Sequence, residues 1–374
     1  MTSLTNKKCN GKQLGKNYFR ELDGLRAFAI TLVIIEHFGG PLGSFYSGGY
    51  YGVDLFFIIS GFLITSILLK SQDSSFWEAY RMFMGRRVLR IFPIYYLALF
   101  IFYAVDFASS RADIGWLVTY TWNYAAVWNK NELFYLWTLS VEEQYYLFWP
   151  LLVFALRYRT RTLFAITLLI VVIGYGQLLF DLFPTLTPSN YTGLFNRMGS
   201  LGLGSAGAIA VSRGWNLNVL SESLSIEIVT IGVLAWALTA SSNCNVRLPF
   251  LGLCSLIIVL KAVIGEFKIR QIGAVLSSNI AVFIGRVSYG IYIIHWPLGI
   301  MLTIYVFDPV WLQIDFSNLG HLENLRRHSW IFKLPMVYVA TVVVAYFSYR
   351  YFEKPFLNLK DRWFPIGQRV TVNS

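Results

Sequence analysis

Near-charge-free apolar stretches recur along the whole 374-residue chain, and no other feature of it narrows the choice of fold as much. A helix rises about 1.5 Å per residue, so roughly 20 residues cross an apolar layer about 30 Å thick. Ten stretches are expected to cross, at 23–38, 50–69, 91–108, 134–156, 163–183, 194–212, 224–240, 248–264, 287–306 and 333–352. Several are shorter than twenty residues, which calls for tilt, local thinning or re-entrant pieces. The segment 114–128, IGWLVTYTWNYAAVW, is aromatic but only moderately apolar, and it is assigned to the interface rather than to a span. Hydrophobic residues make up 56% of the chain and charged ones 14%, against roughly 25% charged in an ordinary soluble domain. A water-soluble globule is excluded, and the expected fold is an all-α integral membrane protein.

The net charge of +11 then reports on orientation. Most of the 31 Lys and Arg fall on one side when loops are assigned alternately, including Lys7, Lys8, Arg86, Arg87, Arg90, Arg157, Lys268, Lys354 and Lys360. Cytoplasmic loops are enriched in these residues, so both termini are expected in the cytoplasm, and nucleic acid is not an expected partner. Cys9, Cys244 and Cys254 form no metal-binding or disulfide pattern. The Lys-rich start lacks a cleavable apolar core, so retention of the N-terminus is expected. Residues 1–22 read as a cytoplasmic segment, 23–356 as one membrane domain and 357–374 as a cytoplasmic tail. The outer connection 307–332, with His321, Glu323, Arg326, Arg327 and His328, reads as a plain loop, and Asn190-Tyr191-Thr192 is a weak glycosylation match.

Ionisable groups inside membrane helices are costly, and each marks a candidate site. Arg26 and His37 are eleven residues apart, about 20° past three full turns, so they share one helix face about 16 Å apart. They line a pocket, or are an interfacial anchor and a core histidine. Arg87 and Arg90 are neighbours on a helix surface, with Pro93 expected in the first turns. Forked guanidiniums suit a pyrophosphate, and they equally suit anionic lipid. Glu142 and Glu143 point different ways, so at most one is expected to face a pocket. Glu142 is the first choice to orient His37, with Glu36 or Asp54 as substitutes. Asp54, Ser60 and Glu143 are further candidates for the pocket wall, although Ser60-Gly61 also suits close helix packing. His295 precedes Trp296-Pro297 and fits best as a local partner for the carbonyl that Pro297 frees. No metal site is indicated.

Five segments in order, ELDGLRAFAITLVIIEHF, GVDLFFIISGFLIT, RRVLRIFPIYY, LWTLSVEEQYY and GRVSYGIYIIHWP, resemble the membrane-bound acyltransferase-3 family of bacterial O-acyltransferases. The resemblance implies ten core helices with cytoplasmic termini in the bacterial inner membrane. It also implies transfer of an acyl group, usually acetyl, from acyl-CoA to a hydroxyl of a carbohydrate or lipid-linked glycan such as O-antigen, peptidoglycan or exopolysaccharide. The family signatures fall on Arg26 and His37 and on Arg87 and Arg90. Arg26, Arg87 and Arg90 are then expected to hold the acyl-CoA phosphates, and His37 with Glu142 to carry the chemistry. His37 acts as general base or is itself acylated. The chain resembles the stand-alone type, without the hydrolase-like domain that some members carry. Two rivals remain: an acceptor such as a small macrolide, and a transporter that uses the same buried charges for protons or an anion.

Overall fold

In the computed structural model, residues 18–46, 48–71, 75–129, 131–183, 191–217, 223–239, 244–265, 267–314 and 327–365 are described; they are helical throughout, with turns and no strand. Helices of seven residues or more are α1 (Arg20–Phe38), α2 (Gly48–Lys70), α3 (Phe76–Val105), α4 (Ser110–Val118), α5 (Trp137–Ala155), α6 (Thr160–Phe180) and α7 (Leu194–Ser212). They continue with α8 (Leu224–Thr239), α9 (Cys244–Ile264), α10 (Arg270–Leu276), α11 (Asn279–Leu302), α12 (Trp330–Ser348) and α13 (Lys354–Trp363).

Each of the ten apolar stretches falls on a helix, and six segments of the described chain are long and apolar enough to cross a membrane: Gly49–Lys70, Phe76–Val105, Thr160–Phe180, Val246–Ile264, Asn279–Trp311 and Trp330–Trp363. The protein is a multi-pass membrane protein. Three helices outside that set, α1, α5 and α7, carry Arg26, Glu36, His37, Glu142, Glu143 and Arg197. Their polarity is turned inward, where other helices cover it.

Two starts differ from expectation. α3 begins at Phe76, well before residue 91, because Ser75 caps it by accepting the backbone N–H of Glu78 and the amphipathic run to Arg90 stays helical. Arg87 and Arg90 therefore sit mid-helix, and Pro93 lies inside the helix rather than in its first turns. α11 likewise starts at Asn279, capped by Ser278. The 114–128 segment folds back on α3: Tyr95 and Tyr96 donate to the carbonyls of Leu117 and Val118 at 2.8 and 2.9 Å, and Tyr120 stacks on Tyr95. Of the long outer connection, 315–326 lies outside the described residues, as do Lys7, Lys8, Cys9 and Asn190.

α2 packs most extensively against α7, and α1 against α11 and α2. The α2–α7 crossing depends on Gly61 and Gly204, where a Cβ would run into the backbone of Leu201 and Ile58 respectively. Small residues let membrane helices approach this closely. A hydroxyl network then joins three helices: Thr65 donates to Ser205 at 2.8 Å, Tyr145 and Ser205 share a hydrogen bond, and Trp149 donates to Thr65. Gly204→Val is expected to destabilise the fold by about 1–3 kcal/mol or more, because backbone must move. A lowered thermal midpoint in detergent checks this.

Candidate functional site

A cleft of about 80 Å³ opens where five helices converge. α1 contributes Arg26, α2 Ser60, α3 Arg87 and Arg90, α5 Glu142 and Glu143, and α11 Ser288, Tyr289 and Tyr292. Arg26 has one acidic neighbour, Asp23, at 3.3 Å. The Arg87 guanidinium lies 4.7 Å from the centre of the Tyr146 ring, a cation–π contact that holds it without neutralising it. Among the described residues no carboxylate forms an ion pair with Arg87 or Arg90. The Arg90 side chain is open to the cleft. Three guanidiniums thus share one recess with the carboxylates of Glu142 and Glu143, and neither Arg87 nor Arg90 is held in a direct ion pair.

The run Arg86-Arg87-Val88-Leu89-Arg90 is divided between two faces. Arg86 turns away from the cleft and donates to the carboxylate of Asp361 at 2.8 Å and to the carbonyl of Phe364. It pins α13 to α3, and the Phe364 ring covers Gly85. A buried acid not singled out from sequence, Glu353, lies in the turn between α12 and α13, near enough to Arg90 for their charges to interact. Its place just beyond an apolar stretch was the available signal. Arg197 is buried with its guanidinium 3.7 Å from the Tyr191 ring centre.

Both adjacent carboxylates line the cleft, contrary to the expectation of one, because the recess wraps around more than one face of α5. Glu142 accepts a hydrogen bond from Ser60 at 2.7 Å, and Tyr146 donates to Ser60 at 3.3 Å. Glu142 thus meets Ser60 and not His37. The Glu36 carboxylate accepts the backbone N–H of Gly49 at 3.3 Å, at the start of α2. Asp54 is fully buried on the α7 side, where Ser200 donates to it, and it is not part of the cleft wall. Ser60-Gly61 serves both of its readings, Ser60 in the cleft and Gly61 against α7.

His37 does not line the cleft. It lies farther along α1, with its Nδ1 3.0 Å from Nε2 of His295. His295 in turn has Nδ1 2.6 Å from the carbonyl oxygen of Tyr292, and Tyr292 is a cleft residue. α11 therefore links the two parts of the site. His295 is not needed at the proline kink: the Ile293 carbonyl, which Pro297 leaves without its helical donor, takes the hydroxyl of Tyr135 at 2.7 Å. Tyr135→Phe is expected to cost about 1–3 kcal/mol by stranding that carbonyl. Thermal unfolding that matches the wild type would refute this.

A family model described as an acyltransferase domain matches residues 19–350. The chain belongs to the acyltransferase-3 family. It is 31% identical to the peptidoglycan O-acetyltransferase OatA of Listeria monocytogenes over 91% of this chain and 56% of that one. It is 28% identical to the putative peptidoglycan O-acetyltransferase YrhL of Bacillus subtilis, over 90% of this chain and 55% of the relative. A putative O-acetyltransferase of Staphylococcus aureus matches at 27% over 95% of this chain and 61% of its own length. The acyltransferase-3 chain described here thus spans little more than half the length of these relatives. No solved structure matches it.

Proposed function

We propose that this protein is a membrane O-acyltransferase that moves an acyl group, most simply acetyl, from cytoplasmic acyl-CoA to a hydroxyl of a surface carbohydrate. The cleft of Arg26, Arg87 and Arg90 is the observation that carries this reading, because three guanidiniums in a recess of an apolar bundle match a nucleotide pyrophosphate. The family and the relatives' names support acyl transfer, and two of those names specify peptidoglycan. In this reading ten helices span the bacterial cytoplasmic membrane, with both termini inside.

Arg87 and Arg90 hold the donor phosphates and Arg26 the entry of the pantetheine arm, which runs past Tyr292 towards His37. Neutral His37 takes the proton of the acceptor hydroxyl as its oxygen attacks the thioester carbonyl carbon. The C–S bond then breaks, and the proton passes from His37 to the departing CoA thiolate. Glu142 and Ser60 order the cleft wall beside the donor.

The test uses wild-type protein in proteoliposomes with acetyl-labelled acetyl-CoA and peptidoglycan or other surface glycan on the far side. Label in the glycan and free CoA in the donor compartment are expected. Absence of acyl-CoA binding would reject the reading.

A further inference from the structure

The imidazoles of His37 and His295 lie 9° from parallel, with ring centroids 5.2 Å apart, and Trp296 stands edge-on to His37 at 4.6 Å. His295 is completely buried, and its Nδ1 faces the Tyr292 carbonyl, which has no proton to give. That nitrogen must therefore carry the proton. No ion pair to a carboxylate involves either ring among the described residues, and a neutral imidazole has a single N–H. Nε2 of His295 is then a bare lone pair, and the 3.0 Å contact requires Nδ1 of His37 to donate to it. The lone pair of His37 is left on Nε2.

We propose that His295 is a positioning residue for His37: by accepting its Nδ1–H, His295 makes Nε2 the nitrogen that takes the acceptor's proton. This rests on His37 being the reacting base. In water an imidazole exchanges between tautomers, and only the one with its lone pair towards the substrate is productive. The Tyr292–His295–His37 chain removes that ambiguity without a carboxylate. When Nε2 of His37 gains the proton, its Nδ1–H still donates to His295, and the bond becomes charge-assisted and stronger. The pair therefore favours the imidazolium when it forms. The alternative, that His295 only repairs the Pro297 kink, conflicts with Tyr135 already occupying the freed carbonyl.

The chain has four histidines, so the experiment is a nitrogen-15 spectrum of histidine-labelled full-length protein in lipid nanodiscs, assigned by single substitutions. His37 is expected to show a protonated Nδ1 and an unprotonated Nε2. In His295→Gln the amide oxygen replaces the lone pair and preserves that tautomer; in His295→Leu the tautomers mix. Turnover follows the same order: kcat falls about 10²–10⁴-fold in His295→Leu, with unchanged KM for acetyl-CoA, and His295→Gln recovers most of it. A protonated Nε2 on His37 in the wild type, or wild-type kcat in His295→Leu, overturns the proposal. The wild-type spectrum decides the pairing even if the leucine variant does not fold. It also needs no turnover, so the expected tautomer in a protein that binds no acyl-CoA would confirm the pairing while rejecting the acyl-transfer reading.

Discussion

Replacing His37 by alanine is expected to lower acyl transfer by about 10²–10⁴-fold, the contribution of a positioned general base. The protein should still insert and still bind acetyl-CoA. His37 is absent from the lining of the arginine cleft, so its loss leaves the cleft residues in place. It also lies at the end of α1, next to Phe38 and Gly39, where truncation leaves the contact of Gly285 with Asp23 at the α1–α11 crossing intact. The measurement is single-turnover transfer in proteoliposomes beside equilibrium binding of acetyl-CoA. A variant that transfers at the wild-type rate removes His37 from the chemistry, and a variant that no longer binds donor moves His37 into the donor site.

The second large effect concerns donor affinity. Arg87→Ala or Arg90→Ala is expected to raise KM for acetyl-CoA by about 10- to 100-fold, since a hydrogen bond to a charged group contributes about 1.5–3 kcal/mol. The effect on kcat should be smaller, because these groups lie away from the reacting carbonyl. Arg86→Ala is the comparison that makes the result interpretable. Its side chain contacts Asp361 and Phe364 and does not line the cleft, so a lower melting temperature with unchanged donor KM is expected. If all three variants behaved alike, a general interaction of basic residues with anionic lipid would explain them better than a phosphate site.

The helices could be located from sequence because apolar stretches of spanning length leave the chain few alternatives. The start of α3 could not, since residues 76–90 mix Trp, Tyr and Phe with Glu and Arg and give no apolar run, yet form a helix. Within the site, Arg87 and Arg90 were readable as neighbours from their spacing, Arg26 was joined to them only by the family resemblance, and all three meet in the cleft. The partner of His37 was not. His295 is 258 positions away, and the contact is set by how far α1 and α11 are rotated against each other. The burial of Asp54 against Ser200 was hidden for the same reason: which face of α2 meets α7 follows from where Gly61 and Gly204 allow contact.

The cleft draws its walls from residues 26 to 292, and this spread has a consequence during synthesis. At about 5–20 residues per second, roughly 10–40 s pass between the emergence of α3 and that of Tyr292. For that interval the nascent chain holds arginines and glutamates in the bilayer without the last wall that encloses them. Early helices thus need temporary shelter, from one another or from the insertion machinery, and a chain interrupted before α11 lacks one wall of the cleft. Activity comes late in the life of each molecule, when the bundle closes.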